Sequence, residues 1–506
     1  MRRHTGRPDD YAGGVGAVEG NPRLRAALFD RQPGRKELPF VREEGNSGGK
    51  TAILTAIEAN REFFRGGGRD SVPRRREMLR HMLDFLQTHR DKVFSALSAD
   101  LHKSEYEAAM TEYLPVCGVL RYLIRKLPSL AKARRGAISP LNFPARGRIL
   151  PEPYGQVLVF ATWNYPLLLA LEPACGALAA GNRVVLKLTD KAQRTTQFLR
   201  WMIAECFPNG EMIAVHEELE FDEILNGKFD YIFFTGGGAA GKHVYERAAE
   251  QLTPVTLELG GKSPCLVCKG ADLRLAAKRI AWGKFTNAGQ TCIAPDYLLI
   301  QQELKEPFLV ELRRWIRKFY GDEPVDNPDY PWIINEQQFA RLAKLAEHGR
   351  LVAGGERNPD RFCIAPTVID GIGWDDPLME REIFGPILPV LTFRSDEDLL
   401  AMLEGKPKPL ALYCFGGSRR FRRTLLDATS SGAVVFDDVV MHFVNPELPF
   451  GGVGASGIGA YHGRRTFETF THYKPVMYQS RLIDWPVRYP PFRGWKLKLM
   501  KFITRR

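Results

Sequence analysis

The chain has 506 residues, 44% of them hydrophobic and 26% charged. That balance excludes a disordered chain, a fibrous repeat and a small disulfide scaffold, and the length predicts two or three domains. Net charge is +12, but residues 1–50 carry 10 Lys and Arg against 7 Asp and Glu, and residues 481–506 carry 8 against 1, so only +2 remains between them. A nucleic-acid binder needs a basic stripe in its folded part, so nucleic acid is not an expected partner.

Residues 1–50 mix Gly-Gly pairs with scattered charge and few periodic apolar positions, and they predict a disordered extension. Apolar residues at three-to-four spacing then predict helices from about Thr51, around Ile57–Phe64, Arg75–Thr88 and Val93–Leu101. Past Pro144 short β-rich runs alternate with helical stretches: Val157–Ala161, Val184–Leu188, Tyr231–Phe234 and Pro264–Val267. A second alternating region includes Tyr297–Ile300, Ile387–Phe393, Leu410–Phe415 and Ala433–Phe436. Strands alternating with helices indicate α/β domains around parallel sheets. The longest uncharged run, Pro153–Leu171, contains Gly155, Gln156, Asn164 and two prolines, so it reads as strand, turn and helix start rather than a membrane span. No signal-peptide pattern opens the chain, and a cytoplasmic protein is expected. Eight cysteines lie in apolar surroundings, and the one close pair, Cys265 and Cys268, lacks the further ligands that zinc requires. Reduced thiols and no metal are expected.

Three short stretches carry chemistry. After the run Tyr231–Phe234, residues Gly236–Gly241 satisfy G-x-G-x-x-G, which reads as a nucleotide turn or as a tight structural turn. Gly452–Gly457 satisfies the same pattern without a strand before it. Glu258 sits in Thr-Leu-Glu-Leu-Gly-Gly-Lys, a carboxylate at an apolar strand end. Such surroundings raise a carboxyl pKa and suit a general base; a salt-bridged Glu is the alternative. Cys292 follows Gly-Gln-Thr, a polar turn that exposes a thiol together with its backbone N–H, as a nucleophile requires. Asn164, in Thr-Trp-Asn-Tyr-Pro after the first strand, offers an amide to a developing oxyanion, or simply closes a turn. Together they supply nucleophile, base and oxyanion donor.

Asn164 in Trp-Asn-Tyr-Pro, Glu-Leu-Gly-Gly-Lys from Glu258, Gly-Gln-Thr-Cys ending at Cys292, Glu-Ile-Phe-Gly-Pro from Glu382 and Pro-Phe-Gly-Gly-Val-Gly from Pro449 occur in one order over residues 51–480. In these motifs the chain resembles the aldehyde dehydrogenases. Ala-Pro-Asp-Tyr after Cys292, Leu101-His-Lys103 and Thr466–Phe470 resemble the class 3 branch, which handles fatty and aromatic aldehydes. The resemblance implies oxidation of an aldehyde to the carboxylate with NAD or NADP. Cys292 would attack the carbonyl, Asn164 and the Cys292 N–H would hold the oxyanion, and Glu258 would activate the water that hydrolyses the thioester. It implies adenosine-ribose contacts from Lys187 and Asp190 and nicotinamide contacts from Glu382 and Phe384. Thr235, Gly236, Gly237, Gly238, Ala239, Ala240 and Gly241 would line the phosphate and nicotinamide region. Asp190 is a methylene shorter than the family's usual Glu, which leaves NAD against NADP open. A Rossmann-type cofactor domain is implied at 51–136 and 151–259, a catalytic domain at 260–443 and bridging segments of a homodimer at 137–150 and 466–480. Two rivals are a CoA-acylating enzyme, which would not need Glu258 as a base, and a non-catalytic protein retaining the fold.

The tail at 481–506 places Trp485, Tyr489, Phe492, Trp495 and Phe502 among its eight basic residues. That mixture suits peripheral contact with a membrane headgroup layer, or packing on the protein's own dimer.

Overall fold

The computed structural model describes residues 46–139, 142–492 and 494–503. The first described helix, Asn46–Arg65, already includes the end of the segment expected to be disordered; the rest of that expectation lies outside the described residues. Tertiary packing overrides the glycines here: Ile53, Ala56 and Ile57 pack onto a buried cluster, and Asn60 donates from Nδ2 to the Gly210 carbonyl at 2.8 Å. The next helix, Val72–Thr88, starts three residues before the expected Arg75. Ser71 accepts from the Arg74 N–H at 3.3 Å, and Pro73 occupies the first turn.

Strands β1 (Arg134–Gly136) and β2 (Arg146–Pro153) lead into β3 (Gln156–Phe160), β4 (Arg183–Lys187), β5 (Met212–Val215), β6 (Tyr231–Gly236) and β7 (Val255–Leu259). The last five form a parallel sheet in the order β7-β6-β3-β4-β5. The chain therefore builds outward from β3 in one direction, then restarts beside it with β6. At such a reversal, beyond the carboxyl ends of β3 and β6, open α/β sheets bind ligands. The Thr162–Tyr165 turn and Gly236–Gly241 both lie at this edge.

A second sheet is built from β8 (Pro264–Val267), β9 (Tyr297–Gln301), β10 (Arg350–Ala353), β13 (Thr367–Asp370), β14 (Ile387–Phe393), β15 (Ala411–Phe415) and β16 (Ala433–Phe436), in the order β10-β13-β14-β9-β8-β15-β16. A small hairpin, β11 (Arg357–Asn358) with β12 (Cys363–Ile364), stands apart. The chain then returns. β17 (Gly457–Ile458) pairs antiparallel with β7, and β18 (Thr471–Tyr478) pairs with β2. β1, β2 and β18 form a separate three-stranded sheet: β1 begins before the 137–150 segment implied by the resemblance, β2 runs past it to Pro153, and β18 begins later than 466 because Arg464–Thr469 is helical.

The uncharged run Pro153–Leu171 is β2, β3, a turn and the start of the helix Leu168–Ala180, which is buried at every residue. Among the described residues no helix is long and apolar enough to cross a membrane.

Candidate active site

Cys292 is the one cysteine of the eight that is not buried. Its loop begins at a turn in which Asn287, Ala288 and Gly289 all have left-handed backbones, with φ of 54°, 50° and 71°. The first two residues are strained, so surrounding contacts must hold them. Asn287 donates from its backbone to Glu107 at 2.6 Å and from Nδ2 to the Asn164 carbonyl at 2.8 Å. A Cβ at Gly289 would lie 2.2 Å from the Gly385 carbonyl, so only glycine lets the turn press against the Glu382–Gly385 loop. Gln290, fully buried, donates from Nε2 to the Asn287 and Trp332 carbonyls at 3.0 Å and accepts the Ile334 N–H at 3.0 Å. The sulfur is carried on a fixed loop.

Asn164 is fixed from both sides. Its Nδ2 donates to the Gln290 carbonyl at 3.0 Å, and Thr162 donates to its Oδ1 at 3.3 Å. An amide nitrogen has two N–H groups, so one remains for a substrate oxygen. Its carbonyl also accepts from Lys103 at 3.0 Å. Lys103 and Glu112 form a fully buried ion pair at 2.5 Å, and the other Glu112 oxygen accepts the Leu167 and Leu168 N–H groups at 2.8 and 3.3 Å. Glu112 itself sits on a π-helical stretch, Ala109–Tyr113, a distortion frequent near functional sites. Removing one partner of a buried pair strands the other, at a cost of about 3–5 kcal/mol. Glu112→Ala is accordingly expected to lower unfolding stability by that amount in urea titration; a loss under about 1 kcal/mol would mean the pair holds nothing.

Glu258 lies in β7 at 3% exposure, beside Thr235 on β6 and Gly457 on β17. Neither of its carboxylate oxygens has a hydrogen-bond partner. Burial, and secondarily the charge of Glu172, pushes its pKa well above the usual carboxylate range. Burial likewise raises the Cys292 thiol, with Glu382 and Glu258 adding to it while the Cys292 and Ile293 backbone groups oppose. The charges of Glu382 and Glu258 thus both act on Cys292.

The Glu382 carboxylate lies directly over Gly260: a Cβ there would come 1.9 Å from Oε2. Burial and Asp296 raise its pKa to about 8. Asp296 accepts from Lys262 at 2.5 Å and from the Ile383 N–H at 2.8 Å. Three sequence motifs, those of Lys262, Asp296 and Glu382, are thereby tied at one carboxylate. Phe384, at φ 50°, packs edge-on against Trp163 at 5.3 Å, next to Asn164.

A dinucleotide cradle fits the end of β6. Gly237 caps the helix Gly238–Glu250 with no side-chain bond, so its first N–H groups are free to meet phosphate. A Cβ at Gly237 or Gly238 would meet nothing within 4 Å, whereas one at Gly241 would strike Leu259 at 2.4 Å. Gly237 and the motif's second glycine, Gly238, leave space for a ligand, and its third, Gly241, permits close helix–strand packing. Ala239 and Ala240 are exposed on the first turn, and the buried Thr235 hydroxyl has no partner. Lys187, at the end of β4, donates to the His216 carbonyl, and burial lowers its pKa. Asp190 is exposed in the following bend, farther along the same edge. Gln290, Asn287, Lys103, Glu112, Asp296 and Lys262 were not singled out from the sequence for a role. Lys103, Lys262, Gln290 and Asp296 stand inside the motifs that carry the resemblance, Asn287 opens the Cys292 turn, and Glu112 lies in no motif.

The pattern of the aldehyde dehydrogenase family matches residues 43–476. The chain belongs to the aldehyde dehydrogenase family. Rat aldehyde dehydrogenase family 3 member A2 is 38% identical over 88% of this chain and 93% of its own. Human family 3 member B1 is 40% identical over 87% and 95%. The solved substrate-bound AldH of Staphylococcus aureus superposes with a TM-score of 0.86 at 36% identity, over 89% of this chain and 99% of that one. An NAD+ complex of a Bacillus cereus aldehyde dehydrogenase is 25% identical, with a TM-score of 0.76 over 85% and 89%. The family's reaction is oxidation of an aldehyde to the acid with NAD or NADP. Among the described residues no group of three potential metal ligands occurs.

Proposed function

We propose that this aldehyde dehydrogenase oxidises medium- to long-chain or aromatic aldehydes through covalent bonding to Cys292 and hydrolysis by Glu258-activated water. The reading rests chiefly on Cys292, the one cysteine that is not buried, held in a loop bonded to Asn164 and under the charge of two buried carboxyls. As a thiolate, Cys292 attacks the aldehyde carbon. The free Asn164 N–H and the Cys292 N–H receive the oxygen's growing charge, an effect worth roughly 3–4 kcal/mol per donor. The bound cofactor supplies one function, acceptance of a hydride. Lys187 and Asp190 are assigned to its ribose, Thr235 and Gly236–Gly241 to its phosphates, and Glu382 and Phe384 to its nicotinamide end. Glu258 then takes a proton from water as the new C–O bond forms and the C–S bond breaks.

Apolar side chains favour an apolar substrate. Trp282, Met441 and Val444 are exposed on segments that meet where Gly283 packs on Val439 and Val440, immediately before the Cys292 loop. Formation of NADH and of NADPH across an aldehyde panel tests the reading. Turnover favouring long or aromatic aldehydes supports it; turnover confined to short polar aldehydes, or dependent on CoA, refutes it.

We also assign a homodimer to the bridging sheet, whose outer strand β18 pairs with β2 and exposes Met477 and Tyr478. In the tail, Phe492, Trp495 and Phe502 are exposed at 78%, 52% and 75%, while Lys496 turns inward to the Tyr489 carbonyl. An apolar face turned outward beside basic residues suits a headgroup layer. A 1–480 truncation is expected to lose co-sedimentation with anionic liposomes; equal binding would assign the tail to packing.

A further inference from the structure

A base that removes a proton from water in every cycle must be emptied before the next. Glu258 has no hydrogen-bonded neighbour to take it. A second buried carboxylate, Glu172, with 0% exposure on the helix Leu168–Ala180, is close enough for its charge to act on Glu258. Its Oε1 lies 2.8 Å from His462 Nδ1, while its Oε2 has no partner. His462 Nε2 has none either, and its side chain retains 8% exposure. Buried polar atoms are almost always bonded, to protein or to water. The orphaned atoms here are both oxygens of Glu258, one of Glu172 and the outer nitrogen of His462.

The backbone goes to some length to put His462 there. It has φ of 85°, a region that costs a non-glycine residue about 1–3 kcal/mol, and its N–H is fixed by Thr466 Oγ1 at 2.8 Å. The next residue, Gly463, has φ of 55°, and a Cβ there would lie 1.8 Å from the Pro446 carbonyl. The ring rests on Phe443 at 4.7 Å. The strand that carries this turn, β17, pairs directly with Glu258. A buried ion pair does not by itself repay strain, since an apolar pair often does as well.

We propose that Glu172 and His462 form the exit path for the proton that Glu258 takes from the attacking water. The idea rests on the base role assigned to Glu258. One proton enters at Glu172 Oε2 through bound water, and one leaves at His462 Nε2, so the pair returns to its charge after each transfer. Neither residue touches substrate; both act through Glu258. The pair's other titratable neighbours are Tyr461, which feels both carboxylates and Cys292, Cys175, which feels Glu172, and His442, which feels His462. The Glu172 bond and charge hold His462 above the usual imidazole range against the effect of burial.

Hydrolysis of a p-nitrophenyl ester passes through the same acyl-cysteine without any cofactor, and it separates acylation from deacylation. Glu172→Gln keeps the shape and is expected to leave the nitrophenolate burst intact while slowing deacylation by about 10-fold. Added imidazole, by carrying the proton instead, is expected to restore most of the rate. His462→Gln should show the same imidazole-dependent loss, so the test survives if one variant folds badly. Wild-type deacylation in both variants, or a slowdown that imidazole leaves unchanged, would overturn the relay. Normal deacylation in Glu258→Gln would instead overturn the base assignment on which it rests.

Discussion

Replacing Cys292 with alanine is expected to lower aldehyde oxidation by about 10⁴-fold or more. No other thiol can take over: the remaining seven cysteines are buried, and Cys265, for one, is raised by burial on a central strand. The substitution removes a partly exposed side chain, so the Gln290 and Asn287 bonds that build the loop persist. Thermal stability should therefore change little while turnover disappears. A Cys292→Ala protein with turnover within tenfold of the wild type would mean that the reaction is not covalent at this sulfur.

Glu258→Gln is expected to act later in the cycle. Acylation and hydride release proceed once, so a burst of reduced cofactor near one per site appears, and steady turnover then falls by about 10²–10⁴-fold. Both reactive forms are deprotonated, and burial raises both groups. The wild-type rate should consequently climb as pH rises, because more Cys292 and Glu258 are ionised. In Glu258→Gln the deacylation step should lose its share of that climb. A variant with an unchanged steady rate, or one lacking the burst, would contradict the base role.

The central strands were legible because parallel strands buried on both faces read as continuous apolar runs. Pro264–Val267 and Ile387–Phe393, inside their sheet, fall where the sequence puts them, and so does the half-buried edge strand Ala433–Phe436. Strand ends were harder: β6 runs on through Thr235 and Gly236, because sheet pairing with Glu258 and Leu259 extends it beyond the apolar residues. The start of the first described helix was missed for the opposite reason. Its glycines look like breakers, and contacts with distant residues such as Gly210 help to hold it. Cys292, Asn164 and Glu258 could be singled out because each stands in an unusual local setting. Lys103, Glu112 and the Glu172–His462 pair could not, since their meaning depends on partners far away in the chain: a charged residue within an apolar helix reads the same whether it meets a counter-ion or water.

The most direct test of the account is the mass of the Cys292 peptide. Glu258→Gln would be mixed with an aldehyde and oxidised cofactor, quenched in acid after the burst, and digested. The account predicts an acyl group, matching the aldehyde minus one hydrogen, attached to Cys292 in amounts equal to the burst. A burst with Cys292 unmodified, or with the acyl group on another residue, would contradict it.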